Sequence, residues 1–378
     1  MVQVIMVRAH QVNTDPRVRA EAKSLVDAGY DVNILFWNIK NEKHPNEIDG
    51  ARVLEVKSDP LMKMLRYESL QFNLWWRKGA KRISDIINDL TVLHCFDFSA
   101  LPLCTKIKKK YPNKTILIYD AADVWEYMVV GEIPSILLNY HLKLESKCMK
   151  YVDFLITPGE KYQEYYIKKG FDPNKTGIIM NAKDMYVDKY IPSNNENPTL
   201  IYIGTLKPNR RIIELLDVIK DFPEIKLKIG GVGELFNKVK EKSNKLGNVE
   251  FLGKVPFKSV MPLTLKSDAI YAMFDNMHPL TRIGFPNKFF EAVATGRSLI
   301  TSSGTFLGEM VAKLGIGIVV EPNEKGIRCA LEMIRENPKI LEDMGKRAFE
   351  HGKERYNWGF EKEKLLEYYQ NLITQKGK

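Results

Sequence analysis

Short apolar runs alternate with helical stretches along this chain, and the alternation occurs twice. In the first half QVIMV (3–7), DVNILFW (31–37), TVLHCF (91–96), TILIYD (115–120) and FLITP (154–158) each lead into a helical or polar segment. GIIMNAKD (177–184) closes that half. The pattern restarts with LIYIG (200–204) and continues through LKIGG (227–231), NVEFLG (248–253), AIYAMF (269–274), SLITS (298–302) and GIVV (317–320). Strand and helix at this spacing predict parallel, doubly wound sheets. The Pro-, Asn- and Ser-rich segment 185–198 reads as a linker. At 378 residues the chain is too long for one ordinary core. The expected fold is α/β, with two Rossmann-like doubly wound parallel-sheet domains over 1–190 and 191–357. Ligands of such sheets sit beyond the C-terminal ends of the strands, so a central cleft between the two is the expected site.

Composition narrows the function classes. No run approaches the roughly 20 apolar residues of a membrane span. The opening MVQVIMVRAH has neither a basic leader nor a small-residue cleavage site, and reads as a first strand. Cys95, Cys104, Cys148 and Cys329 are scattered without a CxxC pair, as expected of reduced thiols in the cytoplasm and not of a metal cage. A net charge of +10 favours anionic partners. Acids are interleaved with the lysines throughout, and there is no RNA-binding signature or zinc finger, so nucleic acid is not expected. The stretch 61–82, LMKMLRYESLQFNLWWRKGAKR, mixes Trp75 and Trp76 with Lys63, Arg66, Arg77, Lys78, Lys81 and Arg82. It suits an anionic membrane surface, which would make the protein peripheral on the inner face of the membrane. It equally suits a helix packed on its own sheet with a basic rim. Nothing in the sequence speaks to oligomeric state.

The motifs point to phosphate more than to any catalytic triad. Gly231-Val-Gly233-Glu-Leu-Phe236 is a partial dinucleotide fingerprint, with Phe236 where the third glycine belongs. There is no P-loop, HExxH or GxSxG. In IGTLKPNRR (203–211), Arg210 and Arg211 stand at a strand-to-helix turn, which suits a phosphate as well as a solvated arginine pair. In GFPNKFFEAVATG (284–296), Asn287 reads as the cap of a helix with Lys288 in its first turn and Glu291 one turn later. A lysine at a helix N-terminus opposes the macrodipole. Two cationic positions at one sheet edge suit a diphosphate.

Taken in order, IYIGTLKPNRRIIELL, LKIGGVGELF, NVEFLGKVPFKSVMPLTLKSDAIYAMF and GFPNKFFEAVATGRSLIT resemble the retaining glycosyltransferases of family four, which have the GT-B architecture. The first half resembles them more loosely, through TDPRVRAEAKSLVDAGYDVNIL, VLHCFDFSALP, YDAADVWEY and FLITPGEKYQEYYIKKG. The resemblance implies an N-terminal acceptor domain and a C-terminal donor domain, with a last helix, 358–375, packed back on the first. It implies a nucleotide-sugar donor, UDP- or GDP-linked, and no required metal or other cofactor. The acceptor is unknown: a glycan, a lipid-linked sugar or a small molecule, in polysaccharide or glycolipid biosynthesis. Arg210 matches the residue that binds the donor diphosphate. Thr205 stands where an arginine is usual, and Lys288 is expected to compensate. Glu291 matches the glutamate that holds the ribose, while its partner position is Ile283. Backbone N–H groups of Gly284 and Phe285 are expected on sugar or phosphate, and the base against Lys254 and Val255. His94 matches a histidine close to the donor sugar. Lys288, Arg210 and the helix end at Asn287 would stabilise the departing diphosphate. Asp15, Arg17, Asp97, Asp120 and Asp123 are candidates for the acceptor side of the cleft. The alternatives are a sugar-nucleotide epimerase of the same architecture and, on the strength of Ile283, a non-catalytic sugar-nucleotide-binding protein.

Overall fold

A computed structural model of the chain describes residues 1–10, 12, 13, 15–58 and 68–377. The chain forms two compact units, Met1–Met180 with Glu361–Lys378, and Asn181–Phe360. The first holds an eight-stranded sheet of β1 (Gln3–Arg8), β2 (Asp31–Asn38), β3 (Glu47–Ile48), β4 (Ala51–Lys57), β5 (Thr91–Phe96), β6 (Thr115–Asp120), β7 (Phe154–Thr157) and β8 (Thr176–Ile178). Their order is β3-β4-β2-β1-β5-β6-β7-β8, and each pairing is parallel except β3 with β4. The winding reverses between β1 and β5, so their C-terminal ends open a crevice at that edge. Burial on both faces explains why β5 and β6 are apolar almost throughout. The helix Pro16–Asp27 starts where it does because the Asp15 carboxylate accepts from the backbone N–H groups of Arg17 and Val18, at 3.1 and 3.2 Å.

Of the stretch 61–82, residues 61–67 lie outside the described residues. The rest lies in the helix Glu68–Ser84. Its tryptophans face inward. Trp75 stacks on Trp37 with ring centroids 6.1 Å apart, and the Trp75 and Trp76 indoles donate to the Ser99 carbonyl at 3.1 and 2.7 Å. The membrane reading of these two rings is therefore overturned; they are core, and Arg77, Lys78, Lys81 and Arg82 form an exposed rim. Among the described residues no helix is long and apolar enough to cross a membrane.

The second unit holds six parallel strands: β9 (Thr199–Thr205), β10 (Lys226–Val232), β11 (Val249–Gly253), β12 (Ala269–Ala272), β13 (Ser298–Ser302) and β14 (Gly317–Val320). Their order is β11-β10-β9-β12-β13-β14, and the winding reverses between β9 and β12. This unit begins at Asn181, not 191. The polar segment read as a linker is bonded into it. Tyr186 N donates to Ala294 O at 2.9 Å, Arg297 to Ile191 O at 2.7 Å, and Asn195 to the Asp268 carboxylate at 2.9 Å. The chain leaves the unit after Phe360, three residues into the helix Trp358–Gly377. Glu361 then accepts from Met180 N at 2.8 Å, and Tyr369 is fully buried in the first unit.

Candidate functional site

In the second unit the loops after β9, β10 and β12 pack on one another at the C-terminal edge of the sheet. Two glycines allow this approach. A Cβ at Gly231 (φ +145°) would lie 1.7 Å from Gly204 O, and one at Gly233 (φ +150°) 2.4 Å from Leu206 O. The partial glycine fingerprint thus serves loop-on-loop packing. The β9 loop is tied to the β12 loop by Asp275 N donating to Asn209 O at 3.0 Å and by the Tyr271 hydroxyl donating to Arg211 O at 2.9 Å.

The two arginines separate into different jobs. Arg211 sits in the left-handed region (φ +52°) and pairs with Glu214 at 3.1 Å and Asp275 at 3.6 Å. It holds the turn. Arg210 ends the short turn Pro208–Arg210, its guanidinium 4.4 Å from the centre of the Phe274 ring. Burial lowers its pKa, with Tyr202 opposing. A cation on a ring face and without a carboxylate in ion-pair range among the described residues keeps its charge available for an anion.

The helix Asn287–Thr295 begins one residue earlier than its sequence suggests. Pro286 takes the cap position and makes no side-chain cap bond, so Asn287 is the first helical residue and not the cap. The Lys288 ammonium meets the Glu291 carboxylate at 2.5 Å, both largely shielded from water. The Gly284 N–H is already used, donating to Leu280 O at 2.7 Å, so it is not available to a ligand as expected. The Phe285 side chain is core: its ring lies 4.4 Å from Phe289 and 5.4 Å from Phe306, centroid to centroid. Ile283 ends the short helix Pro279–Ile283, half-buried. Thr205 and Lys254 are exposed at the ends of β9 and β11, and Val255 packs over Gly230.

In the first unit the candidate residues gather at the crevice between β1, β5 and β6. Arg8, at the end of β1, pairs with Asp97 and, at 3.2 Å, with Asp15. Asp97 follows β5 in the left-handed region (φ +56°) and accepts from Asp123 N at 3.2 Å. Burial and the neighbouring Asp97 push Asp123 up to about 7, against the pull of Arg8. Burial raises Asp97 too, although Arg8 opposes it.

Beneath lies a fully buried charge network. Arg17 forks onto Asp120 at 2.8 and 2.9 Å, donates to Ile179 O at 2.7 Å and lies 3.1 Å from Glu21. The His94 Nε2 sits 3.3 Å from Asp120 and 3.2 Å from Glu21, while Nδ1 meets the Tyr369 hydroxyl at 2.6 Å. Burial pushes the Glu21 carboxyl well up and the His94 imidazole down; at Asp120 burial also pushes up, but Arg17 and His94 together hold the carboxyl below its ordinary value. Glu21, His94 and Asp120 offer ligand atoms within 4.8 Å of one another, a metal-type grouping, but Arg17 is the cation that answers them. The expectation that His94 touches the donor sugar is corrected here. It is fully buried in the middle of β5, and Tyr369, Asp120 and Glu21 take both ring nitrogens. Arg17 and Asp120 are likewise buried in this network. Arg8, Asp15, Asp97 and Asp123 are the groups near the surface of the crevice.

Sequence reasoning missed Arg8 and Glu21. Glu21 had a signal, four residues after Arg17 on one helix face. Arg8 acquires its surroundings only through tertiary packing.

Residues 188–351 match the family model of glycosyl transferases group 1. No curated protein matches the sequence. Among solved structures the chain is similar to sucrose-phosphate synthase from Thermosynechococcus elongatus, with a TM-score of 0.79 at 15% identity over 99% of this chain and 100% of that one. It is similar to HepE of Anabaena in complex with UDP-glucose, at 0.70 and 12% over 98% and 99% of the two chains. A glycosyltransferase from Rickettsia africae gives 0.70 at 14% over 98% of each. The two parallel-sheet units therefore have the GT-B glycosyltransferase fold, and residues 188–351 match glycosyl transferases group 1.

Proposed function

We propose that this protein moves a sugar from a nucleoside-diphosphate donor to an acceptor hydroxyl with retention at the anomeric carbon. The observation that carries the reading is Lys288, held by Glu291 in the first turn of the helix Asn287–Thr295, on the sheet edge that also bears Arg210. A lysine there adds positive charge to the positive end of a helix, and such an end favours a bound anion. HepE, of the same fold, is solved with UDP-glucose.

In the reaction the bond between the anomeric carbon and the diphosphate oxygen breaks. The acceptor oxygen bonds to that carbon on the same face, and its proton passes to the departing phosphate oxygen. Lys288, Arg210 and the first-turn N–H groups meet the charge that grows on the leaving group. The reading takes no divalent metal as required, as the family resemblance implies. Glu291 orients Lys288 and receives the ribose hydroxyls. The acceptor binds at the first unit's crevice, where Asp15, Asp97 and Asp123 hydrogen-bond its other hydroxyls. The test is a thermal-shift screen of UDP- and GDP-sugars, because a ligand bound to the folded state raises stability by mass action. A clear shift with one donor class supports the reading, and no shift with any of them refutes it.

A further inference from the structure

The chain after β6 builds an apolar tip on the first unit. The short helix Trp125–Val129 begins two residues after Asp123, at the sheet edge that bears the crevice. Glu132 N then donates to Val129 O at 2.9 Å and Leu138 N to Pro134 O at 3.0 Å, so the chain turns tightly into the helix Ser135–Met149. Trp125 packs on His141 with ring centroids 5.2 Å apart, which pins the two helices together. The apolar side chains around the turn project into water. Ile136 is 86% exposed, Tyr140 52%, Val130 47% and Met128 45%. Large apolar groups gathered at one projecting turn mark a surface that something covers.

The charges of the longer helix say what covers it. From Ile136 the outward stripe runs through Tyr140, Lys143, Lys147 and Lys150, at helical spacing and exposed throughout. The helix has a single carboxylate, Glu145, which is buried and accepts from the Tyr119 hydroxyl at 2.8 Å. Glu126, on the short helix, is taken by Lys169 at 3.0 Å. Glu132 is the acid left exposed between Met128 and Lys150. Beyond the helix end Lys109 adds a cation 4.3 Å from the centre of the Tyr151 ring. An apolar end with a tyrosine suits the boundary between headgroups and acyl chains, and a lysine stripe suits lipid phosphates. A second copy of the chain would bring the same lysines and few acids to answer them.

We propose that Met128, Val130, Ile136 and Tyr140, with Lys143, Lys147 and Lys150, form a docking surface for an anionic membrane. The surface is separate from Trp75 and Trp76, which stay in the core, and its role does not depend on the transferase reading. The probes are vesicles of phosphatidylcholine, alone or mixed with phosphatidylglycerol, in a co-sedimentation assay at ~0.15 M salt. The wild type should bind the mixed vesicles and not phosphatidylcholine alone. Changing Lys143, Lys147 and Lys150 together to glutamine should weaken binding about 100-fold, the attraction of three lysines to an anionic surface. Ile136→Ser should weaken it about 10-fold through lost apolar burial. All four side chains are exposed, so the melting temperature should hold in both variants. As a control of equal net charge, glutamine at the exposed Lys226, Lys238 and Lys240 of the second unit should leave binding unchanged. A wild type that ignores mixed vesicles overturns the proposal. So does a control variant that loses as much as the first, or an Ile136→Ser variant that loses nothing. Self-association in sedimentation velocity that Ile136→Ser abolishes, without vesicle binding, would give the tip to a second copy and overturn it too.

Discussion

Replacing Asp123 with asparagine should flatten part of the pH dependence of the first unit's stability. An aspartate in an unfolded chain loses its proton near pH 3.9. In the folded protein Asp123 holds it to about 7, because it is buried and faces Asp97. Between those values the folded state binds the extra proton, so this group's contribution falls as pH rises and is level above pH 7. Between pH 5 and pH 8 the loss spans about two pH units at about 1.4 kcal/mol each, or roughly 3 kcal/mol. Asparagine cannot ionise and can keep the contact with the Tyr162 hydroxyl, 3.5 Å away. Trp37, Trp75, Trp76 and Trp125 all lie in this unit, so tryptophan fluorescence during urea unfolding reports it. The variant should be more stable than the wild type at pH 8, with a difference about 3 kcal/mol larger there than at pH 5. The same difference at both pH values would refute the assigned environment.

Three further substitutions probe the two units. Lys288→Ala should lower turnover by roughly 100-fold, as for loss of one preorganised charge stabiliser, measured in a steady-state transfer assay. Glu291→Ala should chiefly weaken nucleoside-diphosphate binding, read by calorimetry, since it removes both the ribose acceptor and the group that orients Lys288. Tyr369→Phe deletes the hydroxyl 2.6 Å from His94 and leaves a buried ring nitrogen unpaired. It should cost about 1–3 kcal/mol in unfolding by denaturant, with the donor KM unchanged; a raised KM would return His94 to the substrate site.

Much of this was readable in the sequence where the signal is local. Strand runs such as TVLHCF and TILIYD coincide with β5 and β6, because strands covered on both faces need apolar residues throughout. The turn IGTLKPNRR and the helix after Pro286 were found at the right sheet edge. The errors lie where tertiary contacts decide. Asp268 and Arg297 draw a polar segment into the second unit, so composition misplaced the boundary. Trp75 and Trp76 sit among lysines in sequence but bond to Ser99 inside the core. His94 has the right neighbours in sequence for a substrate contact, yet Tyr369, 275 residues later, closes over it.

The most direct test of the central claim is a transfer assay with the donor selected by thermal shift, followed by NMR of the anomeric carbon. Release of the nucleoside diphosphate should depend on an added acceptor and on Lys288, and the product should keep the donor's anomeric configuration. An inverted product would contradict same-face displacement. A donor that binds tightly but is never turned over with any sugar or lipid-linked acceptor would contradict the transferase reading itself.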